Sequence, residues 1–177
     1  MLQKAMKTRK NRSKGIIFLG ISFSIILFIS SCSNNHCDQS MTTPLVISFY
    51  LNTDTSQQVS PRFLMIEGVD SPYYIDASGK SSVQLSLRKF DGLSRFLFKL
   101  ANDESPVDTL LVITEDVLSI RHTNTQDFVS AECGCLTTYY IDEVQFTSNG
   151  IGDVSITSHT VTNSYNEKHI KIYFKGH

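Results

Sequence analysis

The sequence predicts an all-β chain folded as an antiparallel β-sandwich, and three observations carry that expectation. Behind residue 43 the apolar segments are short, alternate with polar residues and are rich in Val, Ile, Thr, Phe and Tyr, as strands that bury one face and wet the other require. Helical periodicity is nowhere sustained. Turn-forming clusters separate the runs at the short intervals of a two-sheet domain. An immunoglobulin-like arrangement is the expected form, with a small β-barrel as the alternative. The chain has no tryptophan and lacks the widely spaced cysteine pair of antibody domains, so strand order stays open.

Nine or ten strands follow in order. Residues 44–51 form the first, opened by Pro44 and nearly continuous in apolar character. Residues 62–67 and 83–87 come next, and residues 95–100 alternate Phe96, Phe98 and Leu100 on one face. Residues 110–114 and 117–122 are divided by Glu115-Asp116, which reads as a tight turn. Residues 128–131, 138–146, 153–161 and 169–174 complete the series. The turns fall at Glu67-Gly68, residues 76–79, Asp91-Gly92, residues 102–106 and Ser148-Asn149-Gly150. Asn149-Gly150 is the strongest hairpin signal, because both residues accept the left-handed backbone of a type I′ turn.

Ahead of the strands lies an address. A basic segment (Lys4, Lys7, Arg9, Lys10, Arg12, Lys14) precedes an apolar stretch over residues 15–29, which ends in a lipobox, Ile29-Ser30-Ser31-Cys32. Fifteen residues at ~1.5 Å each reach about 22 Å, short of the ~30 Å hydrocarbon core, which suits a cleaved signal better than a retained span. The expected organisation is a signal peptide over residues 1–31, a lipidated tether over 32–43 and a single β-sandwich domain over 44–177. Cleavage leaves Cys32 as the N-terminal, lipid-bearing residue. Each buried CH₂ adds ~0.8 kcal/mol, so two or three acyl chains hold the protein in a bilayer without help.

Loss of residues 1–31 removes six of the sixteen Lys and Arg and none of the seventeen Asp and Glu, leaving a chain of net charge −7. The ten remaining cations are scattered, with no stripe able to neutralise several phosphates, so no nucleic-acid partner is expected.

Three cysteines remain once Cys32 carries lipid: Cys37, Cys133 and Cys135. An oxidising compartment favours one disulfide and one odd thiol. Pairing Cys37 with Cys133 or Cys135 pins the tether to the domain, and Cys37 to Cys133 is the preferred pairing. Closing a loop near 100 residues is worth about 4.7 kcal/mol in the loop-entropy picture. A Cys133–Cys135 bond across one glycine is the competitor. The same residues with His36 or His122 invite a metal reading, but structural zinc sites use C-x₂₋₄-C pairs. No metal and no cofactor are expected.

No catalytic constellation is legible. Ser86-Leu87-Arg88-Lys89 matches S-x-x-K, yet it ends a strand rather than opening a helix and lacks its partner motifs. The five histidines are dispersed, and Asp142-Glu143 point to opposite faces of one strand. The chain is expected not to be an enzyme. Asp108-Thr109-Leu110 matches an Asp-Ser/Thr-apolar pattern for O-linked glycans, which makes Thr109 a glycosylation candidate.

Several segments carry a more specific likeness: Asp108-Thr109-Leu110, Phe128-Val129-Ser130-Ala131-Glu132-Cys133-Gly134-Cys135, Ile141-Asp142-Glu143-Val144, Gly152-Asp153-Val154-Ser155-Ile156 and His169-Ile170-Lys171-Ile172-Tyr173-Phe174. This series resembles that of a family of small Bacteroidota lipoproteins classed as a domain of unknown function, over about residues 110–174. The resemblance implies an all-β envelope lipoprotein and brings no activity or catalytic residues. Surface-exposed lipoproteins of that group often carry an acidic cluster directly after the lipidated cysteine. Here Ser33-Asn34-Asn35-His36 stands there, so an outer-membrane lipoprotein facing the periplasm is expected over one facing the cell surface.

The expected role is a membrane-anchored, non-catalytic interaction or structural module, partnered by an envelope protein such as an outer-membrane β-barrel. Phe128, Tyr139 and Tyr140 are the candidate contact surface. The alternative is a carbohydrate- or small-ligand-binding lipoprotein using Tyr73, Tyr74, Tyr139 or Tyr140.

Overall fold

A computed structural model describes Cys37 and residues 40–69, 71–101 and 113–175. Cys32, the signal segment, the turn at 102–106 and Thr109 lie outside the described residues. The described residues belong to one compact unit, Cys37–His177.

Among them there are eleven strands and no helix: β1 (Pro44–Leu51), β2 (Asp54–Gln58), β3 (Leu64–Gly68), β4 (Tyr74–Asp76), β5 (Ser82–Ser86), β6 (Leu93–Ala101), β7 (Ile113–Ser130), β8 (Gly134–Phe146), β9 (Ile151–Ile156), β10 (Thr160–Val161) and β11 (Ile170–Phe174). Two sheets face each other, as the alternation of apolar residues demands. The first runs β2-β1-β11-β9, with β5 sharing the β2 side of β1, and the second runs β10-β8-β7-β6-β3-β4. The fold is an all-β sandwich. All pairings are antiparallel except one: β1 and β11 lie parallel, with Ile47 opposite Ile170 and Leu51 opposite Phe174. The first and last strands of the domain therefore form the middle of one sheet, and Leu45, Ile47, Phe49, Ile170, Ile172 and Phe174 enter the core from it. Phe96, Phe98, Leu118, Ile120 and Ile141 meet them from the other. Burying a side chain of this size contributes about 1.5–3 kcal/mol.

Two strands left no trace in the hydrophobic pattern. β2 is entirely polar because it is a surface edge strand on Tyr50 and Leu51, exposed along most of its length. β4 is three residues long.

The expected turn at Glu115-Asp116 does not exist. β7 passes straight through it, pairing Glu115 with Lys99 and Asp116 with Phe98 of β6. Asp116 is buried instead of looping out. Its Oδ1 accepts hydrogen bonds from Thr147 Oγ1 (2.8 Å) and the Asn149 N–H (2.7 Å), and its Oδ2 from the N–H groups of Gly150 (2.6 Å) and Ile151 (2.8 Å).

Those donors belong to residues 147–151, which correct the second expectation. Asn149-Gly150 closes no hairpin: β8 and β9 lie in different sheets, and the segment is a corner that carries the chain from one to the other. A Cβ on Gly150 would lie 2.7 Å from Thr114 Oγ1, so glycine stands here for close approach to β7. The hairpin of this region is β7–β8, whose turn ends at Gly134 with φ +75°.

Burial pushes the Asp116 carboxyl up, but the three N–H donors and the Thr147 hydroxyl together hold it below its ordinary value of 3.8. Asp116→Ala leaves those buried donors unpaired, and each such group costs about 1–3 kcal/mol. We expect a loss of about 3 kcal/mol or more in urea unfolding. Because the folded pKa is depressed, this contribution is complete above pH 3.8 and is lost as pH falls from there through the folded pKa. Acid unfolding of Asp116→Ala should lack that portion of the pH dependence; an unchanged profile would show that Asp116 does not anchor the corner.

Candidate functional site

The second sheet brings together three polar side chains that are far apart in the chain. On β6 the inward positions are Ser94, Phe96 and Phe98; on β7 they are Leu118, Ile120 and His122. The register sets Ser94 opposite Ile120, one inward position from His122. Ser94 Oγ and His122 Nε2 lie 2.9 Å apart, and His122 Nδ1 and Asn124 Oδ1 lie 2.8 Å apart. Ser94 also accepts the Arg88 N–H (2.8 Å), and Asn124 Nδ2 donates to the Lys89 carbonyl (2.5 Å). One assignment satisfies all of these: His122 carries its proton on Nδ1 and accepts the Ser94 hydroxyl at Nε2.

A hydroxyl, an imidazole and an amide in series have the connectivity of an activated nucleophile. Sequence reading missed the trio because Ser94 and His122 are neighbours only through strand register. Burial decides what it does. Ser94 and His122 are both buried, and one Ser94 lone pair is held by the Arg88 N–H. The His122 ring meets the edge of Tyr139 at 5.3 Å and 89°, and the Tyr139 hydroxyl donates to the Leu87 carbonyl at 3.4 Å. The network fastens the loop over residues 87–92 to β6, β7 and β8. Ser94 lines one wall of a cleft of about 220 Å³ that is also bordered by Tyr73, Ser71, Arg88 and Phe96, smaller than the ~300–1,000 Å³ typical of ligand pockets.

The four tyrosines read as ligand contacts are dispersed. Tyr139 is buried, so it is no part of a contact surface: it faces the core from β8, while its neighbour Tyr140 faces solvent and stacks on His159 at 5.3 Å. Tyr73 borders the cleft and Tyr74 is exposed. Ser86 and Lys89 of the S-x-x-K match stand at the end of β5 and in the loop after it, not on one helical face. Among the described residues no group of His, Cys, Asp and Glu is placed to hold a metal ion.

The other distinctive region is the far end of the β7–β8 hairpin. β6 stops pairing at Leu93, opposite Arg121, and β7 continues past it to Ser130. From residue 123 onward β7 is mostly exposed on both faces. At the turn, Cys133 is bonded to Cys37, 96 residues earlier, with Cα atoms 5.0 Å apart. Cys135 is a free, exposed thiol. The segment joining Cys37 to β1 is held as well: Thr42 Oγ1 lies 2.6 Å from the Tyr165 hydroxyl, Ser40 Oγ bonds the same hydroxyl, and Asn163 Nδ2 donates to the Ser40 carbonyl (3.2 Å). Those two hydroxyl contacts pull the Tyr165 phenol below its ordinary value.

An antiparallel-rich sandwich with a covalently tied, protruding hairpin defines the class: an all-β domain. The model of a family of unknown function (DUF6452) matches residues 63–174, more than half of the chain, and the chain belongs to that family. The match takes in β3 through β11 and stops short of β1, β2 and Cys37. No curated protein and no solved structure matches the chain.

Two outcomes follow. Ser94→Ala should unfold about 1–3 kcal/mol more easily, since the Arg88 N–H and His122 lose a buried partner; labelling of Ser94 by a fluorophosphonate in the folded protein would contradict a structural role. Cys37→Ser should lower stability by about 2–5 kcal/mol in denaturant titration, and an unaltered midpoint would mean that the bond constrains nothing.

Proposed function

We propose that the chain is a lipid-anchored envelope lipoprotein acting as a non-catalytic interaction module, held to the outer membrane through Cys32 and facing the periplasm. The carrying observation is the Cys37–Cys133 bond. Such a bond persists in an oxidising compartment, which agrees with an exported chain, and it lies five residues from the cysteine of the lipobox. The Ser94–His122–Asn124 network, internally satisfied and buried at Ser94 and His122, supports the non-catalytic part of the reading.

Sheet edges supply the physical route to a partner. β10 covers only Tyr139 and Tyr140 of the 13-residue β8. The outer edge of residues 142–146 has no strand beside it among the described residues. A strand of an envelope protein, such as a β-barrel or its assembly, adds there through main-chain hydrogen bonds, and exposed Asp142 and Glu143 keep the edge from pairing indiscriminately. Tyr140, stacked on His159 beside this edge, is the aromatic contact.

Affinity purification from gently solubilised outer membranes, with Cys32→Ala as the unlipidated control, tests the reading. The expected result is stoichiometric recovery of a membrane protein with the lipidated chain and its loss with the control. Recovery of the bait alone would contradict it and turn attention to the second reading, small-ligand or glycan binding at the Tyr73 cleft.

A further inference from the structure

The hairpin, the disulfide and the length of the tether combine into a statement about orientation. Phe128 and Arg121 are seven residues apart on β7, so at ~3.3 Å per residue Phe128 stands up to about 23 Å beyond the level where β6 begins. Cys133, further along the same hairpin, is bonded to Cys37. Cys37 lies only five residues beyond Cys32, and five residues fully extended span at most about 18 Å. Without the bond, the first fixed point behind Cys32 is Ser40, held by Tyr165 and Asn163. Eight residues reach about 29 Å. The bond therefore shortens the leash by roughly a third and moves its attachment from the body of the sandwich to the tip of the hairpin.

The bare surface of that tip sets apolar residues between acidic ones. Phe128 is 72% exposed, and Cys135, directly opposite it in register, is exposed too. Ala131 is exposed at the turn. Asp127 and Glu132, also exposed, flank them and limit penetration to the headgroup layer. An amphipathic tip of this kind suits the boundary between headgroups and acyl chains.

We propose that the β7–β8 hairpin is a stand-off that rests its tip on the bilayer, with Phe128 seated in the lipid interface beside the anchor and the sandwich held away from the membrane. The occupant of the Phe128 surface is the lipid in which the chain is itself anchored. This rests on the lipoprotein reading given above. Its consequence is directional: Ile113, at the other end of β7 and fifteen residues from Phe128, lies up to about 50 Å from the bilayer side, so the corner at residues 147–150 and the β8 edge face partners in the aqueous space.

The absence of tryptophan from the chain makes the test direct, since Phe128→Trp and Ile113→Trp each introduce a single emitter at an exposed position. The full-length protein is purified with its anchor, its N-terminal peptide is weighed, and it is reconstituted into phosphatidylethanolamine–phosphatidylglycerol vesicles with or without brominated acyl chains. Phe128→Trp should shift to the blue and lose most of its emission in brominated vesicles. Ile113→Trp should do neither, and adding Cys37→Ser to Phe128→Trp should restore much of the emission. Ala131→Trp serves as a second tip reporter should Phe128→Trp fail to fold. Tip emission quenched no more than that of Ile113→Trp, in protein whose N-terminal peptide carries diacylglycerol, overturns the proposal. A blue shift without quenching also overturns it, because a protein then covers Phe128. An N-terminal peptide without lipid overturns the lipoprotein reading itself and this inference with it, so the two failures are told apart.

Discussion

The bond between Cys37 and Cys133 is the constraint on which the rest of the molecule depends. It encloses every strand from β1 through β7 in one covalent loop and fixes a point ahead of the first strand to the turn of the longest hairpin. Loop closure over such a span removes much of the freedom of the unfolded chain. That matters for this topology, because β1, paired on one side with β5 and β2, has its other side covered only when β11, the last strand, arrives beside it in parallel. Contacts between the two ends of a chain are the costliest to form, and the tie shortens the search by bringing the segment ahead of β1 to a hairpin whose own pairing is local.

A second constraint holds the two sheets in registration. The chain crosses between them at residues 147–150, and Asp116 gathers that corner onto β7 with four hydrogen bonds. Here a charge is buried because its acceptor capacity is nearly filled by the backbone, the condition under which such burial is tolerated. The Ser94–His122–Asn124 series does the same for the loop over residues 87–92. Both networks join segments distant in sequence, and both use side chains that look like chemistry when read one at a time. The difference between a relay and a rivet lies in commitment: the buried Ser94 hydroxyl is already held by the Arg88 N–H and His122.

Much of the fold was legible in the residues. The run at 44–51 coincides with β1, and those at 62–67, 83–87, 95–100, 138–146 and 169–174 fall within two or three residues of β3, β5, β6, β8 and β11 at most of their ends, with larger offsets where β8 begins early. Alternation on Phe96 and Phe98 gave the buried face of β6 directly. Failures share one cause: local signals were outweighed by tertiary partners. Glu115-Asp116 reads as a turn because acidic pairs prefer solvent, yet Lys99 and the 147–151 backbone supply partners that no local pattern reveals. Asn149-Gly150 reads as a hairpin because its residues tolerate the required backbone, yet the tight contact with Thr114 uses Gly150 for its missing side chain. β2 carries no apolar residue and so no signal. The pairing of Cys37 was reachable by counting cysteines; the Ser94 network was not, since it needs the β6–β7 register.

Peptide mapping of the non-reduced protein, isolated from membranes with free thiols blocked at lysis, tests the central constraint most directly. One linked pair, Cys37 with Cys133, and a blocked, unpaired Cys135 are expected. A Cys133–Cys135 link, or Cys37 joined to Cys135, would contradict it, leaving the hairpin tip unattached or differently attached to the segment that leads to Cys32.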